Sequence, residues 1–230
     1  MNIRQVTGVD GCPAGWVAVS RHGVWVGSEL GVLLDRLAPG IVALDMPIGL
    51  GCDPSRGCDT AARRLLGRPR GSSVFPTPTR AALAGRSHAR AGDLNAAVCG
   101  KRISVQAFNL LPKIREVDRL LAESARWRDA VFETHPEVSF ACMNNDTPVV
   151  ASKKTPAGRA QRQALIAAVF GPHAFPAARA SIARADAADD DLADAFACLF
   201  TAERIAARRH VTLPDPPPLD VCGLPMRICY

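Results

Sequence analysis

Several features are missing from this sequence. No apolar run approaches the roughly 18 residues of a membrane-spanning helix, which argues against an integral membrane protein. The start shows no charged-then-apolar export segment with a small-residue cleavage site, which predicts a cytoplasmic protein without a membrane partner. None of the eight cysteines forms a C-x-x-C pair, so neither a disulfide framework nor a zinc site is indicated.

What is present is a basic chain of globular composition. Hydrophobic residues make up 48% and charged residues 22%, which excludes wholesale disorder. The net charge is +6, and residues 52–102 alone carry ten basic and three acidic side chains. This excess favours a nucleic-acid partner, although a solvated basic surface is the alternative. The basic residues expected to bind the substrate are Arg56, Arg63, Arg80, Lys153 and Lys154.

The order of the predicted elements indicates an α/β fold. Three short strands with tight turns open the chain, and a short helix and an apolar strand, Ile41–Met46, follow them. Further strand and helix patterns follow at Ala130–Thr134 and Ala187–Arg208. We therefore expect one domain over residues 1–230, with a mixed sheet, a helical insertion over about 51–127 and a proline-rich tail over about 211–230.

Acidic residues stand at the ends of these elements. Asp10 ends the apolar part of the first strand, and Asp45 ends the most buried strand. The last helix opens with three aspartates, in which Asp191 and Asp194 share one face, as do Asp190 and Asp194. Two glutamates belong to the strand at Ala130–Thr134 and the residues after it. They are Glu133, a candidate catalytic residue, and Glu137, which with Asp190 is a secondary candidate.

Such acids predict a cation site. Clustered carboxylates raise one another's pKa unless a cation lies among them, and Mg²⁺ or Mn²⁺ prefers oxygen ligands. Two such ions stabilise the attacking and leaving oxygens of a phosphoryl displacement. A structural role is the alternative, because Asp189 and Asp190 suit a helix start and Glu133 could pair with an arginine.

Four segments resemble successive motifs of the family catalogued as domain of unknown function 429. Members are described as predicted nucleases with a ribonuclease H-like fold, and the resemblance covers residues from about 6 to 206. It implies a five-stranded sheet in the order 3-2-1-4-5 with the last helix across it. The four segments are Gly8–Trp16, Leu44–Leu50, Phe132–Glu137 and Asp190–Ala195.

The resemblance also implies a set of site residues. The closer analogy is to Holliday-junction resolvases, in which a first-strand aspartate, an acid after strand four and a helical D-x-x-D pair bind two metal ions. In this chain, those positions are Asp10, Asp45, Asp191 and Asp194. Glu133 is an additional acid on strand five, which would be a further ligand or would orient water. The implied reaction is metal-dependent hydrolysis of phosphodiester bonds in RNA or DNA.

Other functions fit the sequence less well. Asp10 and Gly11 could open a phosphate-binding fold of the sugar-kinase and actin type, but that architecture needs two such domains. No Walker loop and no G-x-S-x-G elbow is present. The remaining alternative is a non-catalytic protein of the same fold that binds nucleic acid or nucleotide phosphates.

Overall fold

A five-stranded mixed sheet forms the centre of the structure, which is a computed structural model describing residues 5–51 and 56–230. Its spatial order is β3-β2-β1-β4-β5, with β1 antiparallel to β2 and parallel to β4, which in turn is parallel to β5. This order confirms the predicted sheet. The strands are β1 (Val6–Cys12), β2 (Gly15–Ser20), β3 (Gly23–Gly27), β4 (Ile41–Leu44) and β5 (Val131–Glu133).

Helices cover both faces of the sheet. Their bounds are α1 (Leu30–Leu37), α2 (Gly57–Arg70), α3 (His88–Cys99), α4 (Val105–Glu123), α5 (Ala125–Ala130), α6 (Pro136–Met143), α7 (Pro156–Phe170), α8 (Ala174–Ala180) and α9 (Asp189–Ala206). The predicted insertion contains the helices α2, α3 and α4. Residues 52–55, which also belong to it, lie outside the described residues. The sequence pattern of the first strand begins at Arg4, which also lies outside the described residues. No helix in the described ranges combines the length and apolar character needed to cross a membrane.

The alternation of side chains in β2 creates two cores. Trp16 and Ala18 face a cluster with α1 and α4, whereas Val17 and Val19 face a second cluster with α7 and α9. Successive strand residues point to opposite faces, so an unbroken apolar strand needs cover on both sides. The sheet is therefore a middle layer between helices.

Helix α9 crosses β1 in direct backbone contact. A Cβ atom on Gly8 would lie 2.0 Å from the backbone nitrogen of Leu199 and 2.2 Å from the carbonyl oxygen of Ala195. Only glycine has no side-chain atom there, so it permits this approach. The crossing brings the start of α9 beside the end of β1.

The C-terminal residues pack against the loop that follows β4. Strand β6 (Thr212–Leu213) pairs with β7 (Ile228–Cys229), and the buried Asp220 carboxylate accepts hydrogen bonds from the backbone of Leu50 and Leu224 and from Arg80. The residues after α9 therefore hold the loop that begins at Asp45.

Candidate functional site

Three of the predicted acids meet at one edge of the sheet. Asp10 lies in β1, Asp45 directly follows β4, and Asp194 lies in the second turn of α9. One carboxylate oxygen from each lies within 4.8 Å of the others. The neighbouring ends of parallel β1 and β4 position the first two, since the amide of Asp45 donates to the carbonyl of Val9 at 3.0 Å. These three residues are called the acid triad below.

The acid triad is poorly solvated. Asp10 and Asp194 are 8% and 3% exposed, and Asp45 is half-buried. Burial first, and then the neighbouring carboxylates, raise the pKa of Asp10 well above its ordinary value and the pKa of Asp45 to about 8. Burial also raises the pKa of Asp194 to about 6, although Lys153 opposes the shift. The Oδ1 atom of Asp194 is buried and has no hydrogen-bond partner among the described residues.

Lys153 is the cation in contact with the acid triad. It precedes α7, and its Nζ lies 2.5 Å from Oδ2 of Asp194. Burial lowers the pKa of Lys153, but the charges of Asp194, Asp10 and Asp45 outweigh burial and raise it. The lysine therefore stays charged, and it neutralises only one of the three carboxylates.

The other aspartates of α9 make different contacts. Oδ2 of Asp191 accepts a hydrogen bond from the amide of Ala188 at 2.9 Å, so Asp191 caps its own helix. Asp189 forms ion pairs with Arg179 and Arg184, at 3.3 and 2.7 Å. Asp190 is half-buried beside Lys153 in a surface cleft. Asp191 is nevertheless close enough for its charge to raise the pKa of Asp10.

Glu133 lies in a separate buried ion-pair network. Its carboxylate accepts bonds from both terminal nitrogens of Arg56, at 2.8 and 2.5 Å, and from the amide of Ile48 at 2.7 Å. Arg56, predicted to bind substrate, is 4% exposed and also donates to Asp59 at 2.6 Å. Cys58, Asp59 and Glu133 also offer clustered ligand atoms, but the Arg56 guanidinium already forms an ion pair with each of the two carboxylates.

The second glutamate of the strand-five segment is also paired. Glu137 is 4% exposed and receives hydrogen bonds from Arg162, at 2.7 and 2.6 Å, and an ion pair from Arg70 at 2.8 Å. Neither arginine was singled out in the sequence. No local pattern could identify them, because Arg162 is 25 residues from Glu137 and each lies in another helix.

The remaining predicted substrate-binding residues divide into two groups. Arg63 donates to the carbonyl of Val74 at 2.9 Å, and Arg80 pairs with Asp118 and Asp220 at 2.8 and 2.5 Å. Lys154, in contrast, is exposed and lies beside Lys153 in the cleft that includes Asp190. The structure therefore places Lys153 and Lys154 next to the acid site and engages Arg56, Arg63 and Arg80 in intramolecular contacts.

Sequence reasoning also missed His135. This half-buried side chain follows β5 at the same edge of the sheet, and its buried Nδ1 has no hydrogen-bond partner among the described residues. Burial lowers its pKa, so the ring is neutral at pH 7. The position of His135 between Glu133 and Glu137, in the segment Phe132–Glu137, could have indicated that it lies near the site.

The charges of the buried site suit a divalent cation. The three carboxylates of the acid triad share one cationic partner, Lys153, so that ionising all three would leave two negative charges without a counterion, and the buried Oδ1 of Asp194 has no hydrogen-bond partner among the described residues. The donors are all carboxylate oxygens, the ligands that Mg²⁺ and Mn²⁺ prefer.

The sequence matches a known protein family over most of its length. The sequence pattern of a family described as a protein of unknown function, DUF429, matches residues 8–219. No curated protein and no solved structure matched the chain. The matched range includes the whole acid triad, Lys153 and the two ion-pair networks beside them. The chain therefore belongs to the DUF429 family.

Proposed function

We propose that this protein is a metal-dependent nuclease that hydrolyses phosphodiester bonds of nucleic acid. The convergence of Asp10, Asp45 and Asp194 around a single cationic partner, Lys153, carries the proposal. Mg²⁺ or Mn²⁺ bound at such a site activates water and neutralises charge that develops on the phosphate. The carboxylates of the acid triad would be the ligands.

Other residues have supporting roles in this proposal. Asp191 would complete the ligand set for a second ion by releasing the amide of Ala188, which its side chain now caps. Lys153, held by Asp194, would offset negative charge on the transition state. Glu133 would position the loop after Asp45, because it holds the Ile48 amide and the Arg56 guanidinium rather than facing an open ligand position.

Cleavage assays test this function. Labelled single- and double-stranded RNA and DNA are incubated with Mn²⁺, Mg²⁺ or EDTA and the products are separated by electrophoresis. Asp10→Asn should lower cleavage more than about 100-fold, since it replaces a charged metal ligand by a neutral and weaker one. Asp35→Asn is the matched control, because Asp35 is an exposed acid on α1. It should keep full activity.

Two outcomes would contradict the proposal. Cleavage that persists in EDTA would exclude the metal mechanism, and full activity of Asp10→Asn would exclude the acid triad. Binding of the same nucleic acids without cleavage under every metal condition would favour the non-catalytic alternative.

A further inference from the structure

A basic cleft opens beside the acid triad. It has a volume of about 510 Å³ and lies between the segment that enters α7 and the start of α9. Its cationic walls are Lys153, Lys154, Arg159 and Arg184, and its acidic walls are Asp189 and Asp190.

The cleft adjoins Asp194, one member of the acid triad. A narrow cavity shares Lys153, Arg159, Asp189 and Asp190 with it and extends to Arg162 and Asp194. Lys153 also contacts Asp194 directly. A ligand in the cleft would therefore lie beside Lys153 and Asp194.

The positive charge of this cleft is only partly used within the protein. Asp189 is already paired with Arg179 and Arg184, whereas Lys154 and Arg159 form no ion pair with any residue in ranges 5–51 and 56–230. The Arg159 guanidinium is instead held by the carbonyl of Lys154 at 2.8 Å. A guanidinium fixed by a neutral acceptor keeps donors for a phosphate oxygen, which it binds in a fork geometry.

We propose that Lys154 and Arg159 bind a phosphate of the substrate strand that neighbours the phosphate at the acid triad. This inference rests on the proposed nuclease function and specifies its substrate: a strand with consecutive phosphodiesters, rather than a compound with one phosphate. Asp190 lies on the side of the cleft toward α9, so the strand would follow the α7 side.

Binding without turnover tests the inference. A labelled single-stranded oligonucleotide, as RNA and as DNA, is titrated with the full chain in EDTA, and fluorescence anisotropy is measured over a range of salt. Arg159→Ala should weaken binding about 10-fold, as expected for losing a hydrogen bond to a charged group. The slope of log affinity against log salt should fall by about one, as for loss of one phosphate contact.

Three controls make the result specific. Arg119→Ala removes an exposed arginine from α4 and should change neither affinity nor slope by these amounts. Arg159→Lys should recover the salt slope. Thermal unfolding of Arg159→Ala should match that of the unchanged protein, because the Arg159 side chain is not in the buried core.

The outcomes separate this inference from the proposed function. No binding by the unchanged protein, or equal slopes for Arg159→Ala and Arg119→Ala, would overturn the inference even if the protein cleaves nucleic acid. A mononucleotide that competes as well as the strand would also overturn it. Binding with the expected slopes but without cleavage would support the cleft and contradict the nuclease.

Discussion

Lys153 and Asp194 meet at 2.5 Å between the start of α7 and the second turn of α9. The pair joins two elements that are 41 residues apart in sequence. Lys153 is also the one cationic contact of the acid triad within the described chain. Its charge should therefore contribute most to stability when no metal is bound.

Lys153→Gln should destabilise the metal-free protein. The change leaves three carboxylates without their cation and should lower the unfolding free energy by about 1–2 kcal/mol at pH 7.5, from the loss of a charged hydrogen bond. Lys154→Gln is the matched control, because Lys154 is exposed. Thermal unfolding in EDTA measures both variants, and an equal effect would contradict the role assigned to Lys153.

Because of the acid triad, the stability of the metal-free protein should fall as pH rises, and the stabilisation by added metal should increase over the same range. Raised pKa values mean that the folded protein holds protons that the unfolded chain has already released. Protonation of Asp194 and Asp45 therefore favours the folded protein at low pH. This stabilisation is lost as pH rises through about 6 and about 8, the pKa values of Asp194 and Asp45. Mg²⁺ competes with protons for these carboxylates, so its stabilising effect should grow over the same range.

Comparison with Asp45→Asn isolates this effect from the rest of the protein. In EDTA at pH 8.5 the variant should be more stable than the unchanged protein, and the advantage should shrink as pH falls and vanish only below about pH 4, the ordinary pKa of an unfolded aspartate. Adding Mg²⁺ at pH 8.5 should reverse the order. Calorimetry or dye-monitored unfolding would show this, and parallel pH curves for the two proteins would refute the linkage.

Gly8→Ala should disrupt the crossing of α9 over β1. The new Cβ would clash with the backbone of Leu199 and Ala195, and backbone cannot move aside as a flexible side chain can. We expect a loss of about 3 kcal/mol or more in unfolding free energy, at the upper end for overpacking. Gly31→Ala on α1 is the control, because its Cβ meets only the tip of Leu120 at 3.3 Å. Denaturant unfolding should show little change for this control.

Arg56→Ala should act on stability rather than on nucleic-acid affinity. The variant leaves Glu133 and Asp59 buried without their cation, and breaking a buried ion pair costs about 3–5 kcal/mol. Arg64→Ala, which removes an exposed arginine from the same helix, should be nearly neutral. If Arg56→Ala left the melting temperature unchanged but weakened nucleic-acid binding, the result would instead support the predicted role of Arg56 in substrate binding.

The apolar strands and the acids at element ends predicted an α/β fold with Asp10 and Asp45 at one sheet edge, whereas the sheet order and the set of metal ligands were implied by the family resemblance. Asp10 ends the apolar part of β1 and Asp45 directly follows β4, and these neighbouring parallel strands end at the same edge of the sheet. The partners of the arginines were not predictable in the same way. Arg56 and Glu133 are 77 residues apart, and an arginine in a basic segment looks identical whether it faces solvent or a buried carboxylate. Asp191 shows the same difficulty, because its local capping bond competes with any role as a ligand.

The bond between Asp220 and Leu50 spans 170 positions of the chain. During synthesis, Asp10 and Asp45 leave the ribosome long before Asp194 and the residues that fasten the loop after Asp45. Contacts so distant in sequence form late, after the chain between them is complete. The three carboxylates therefore cannot come together before Asp194 has been synthesised, and until then the nascent chain carries Asp10 and Asp45 without the third acid of the site.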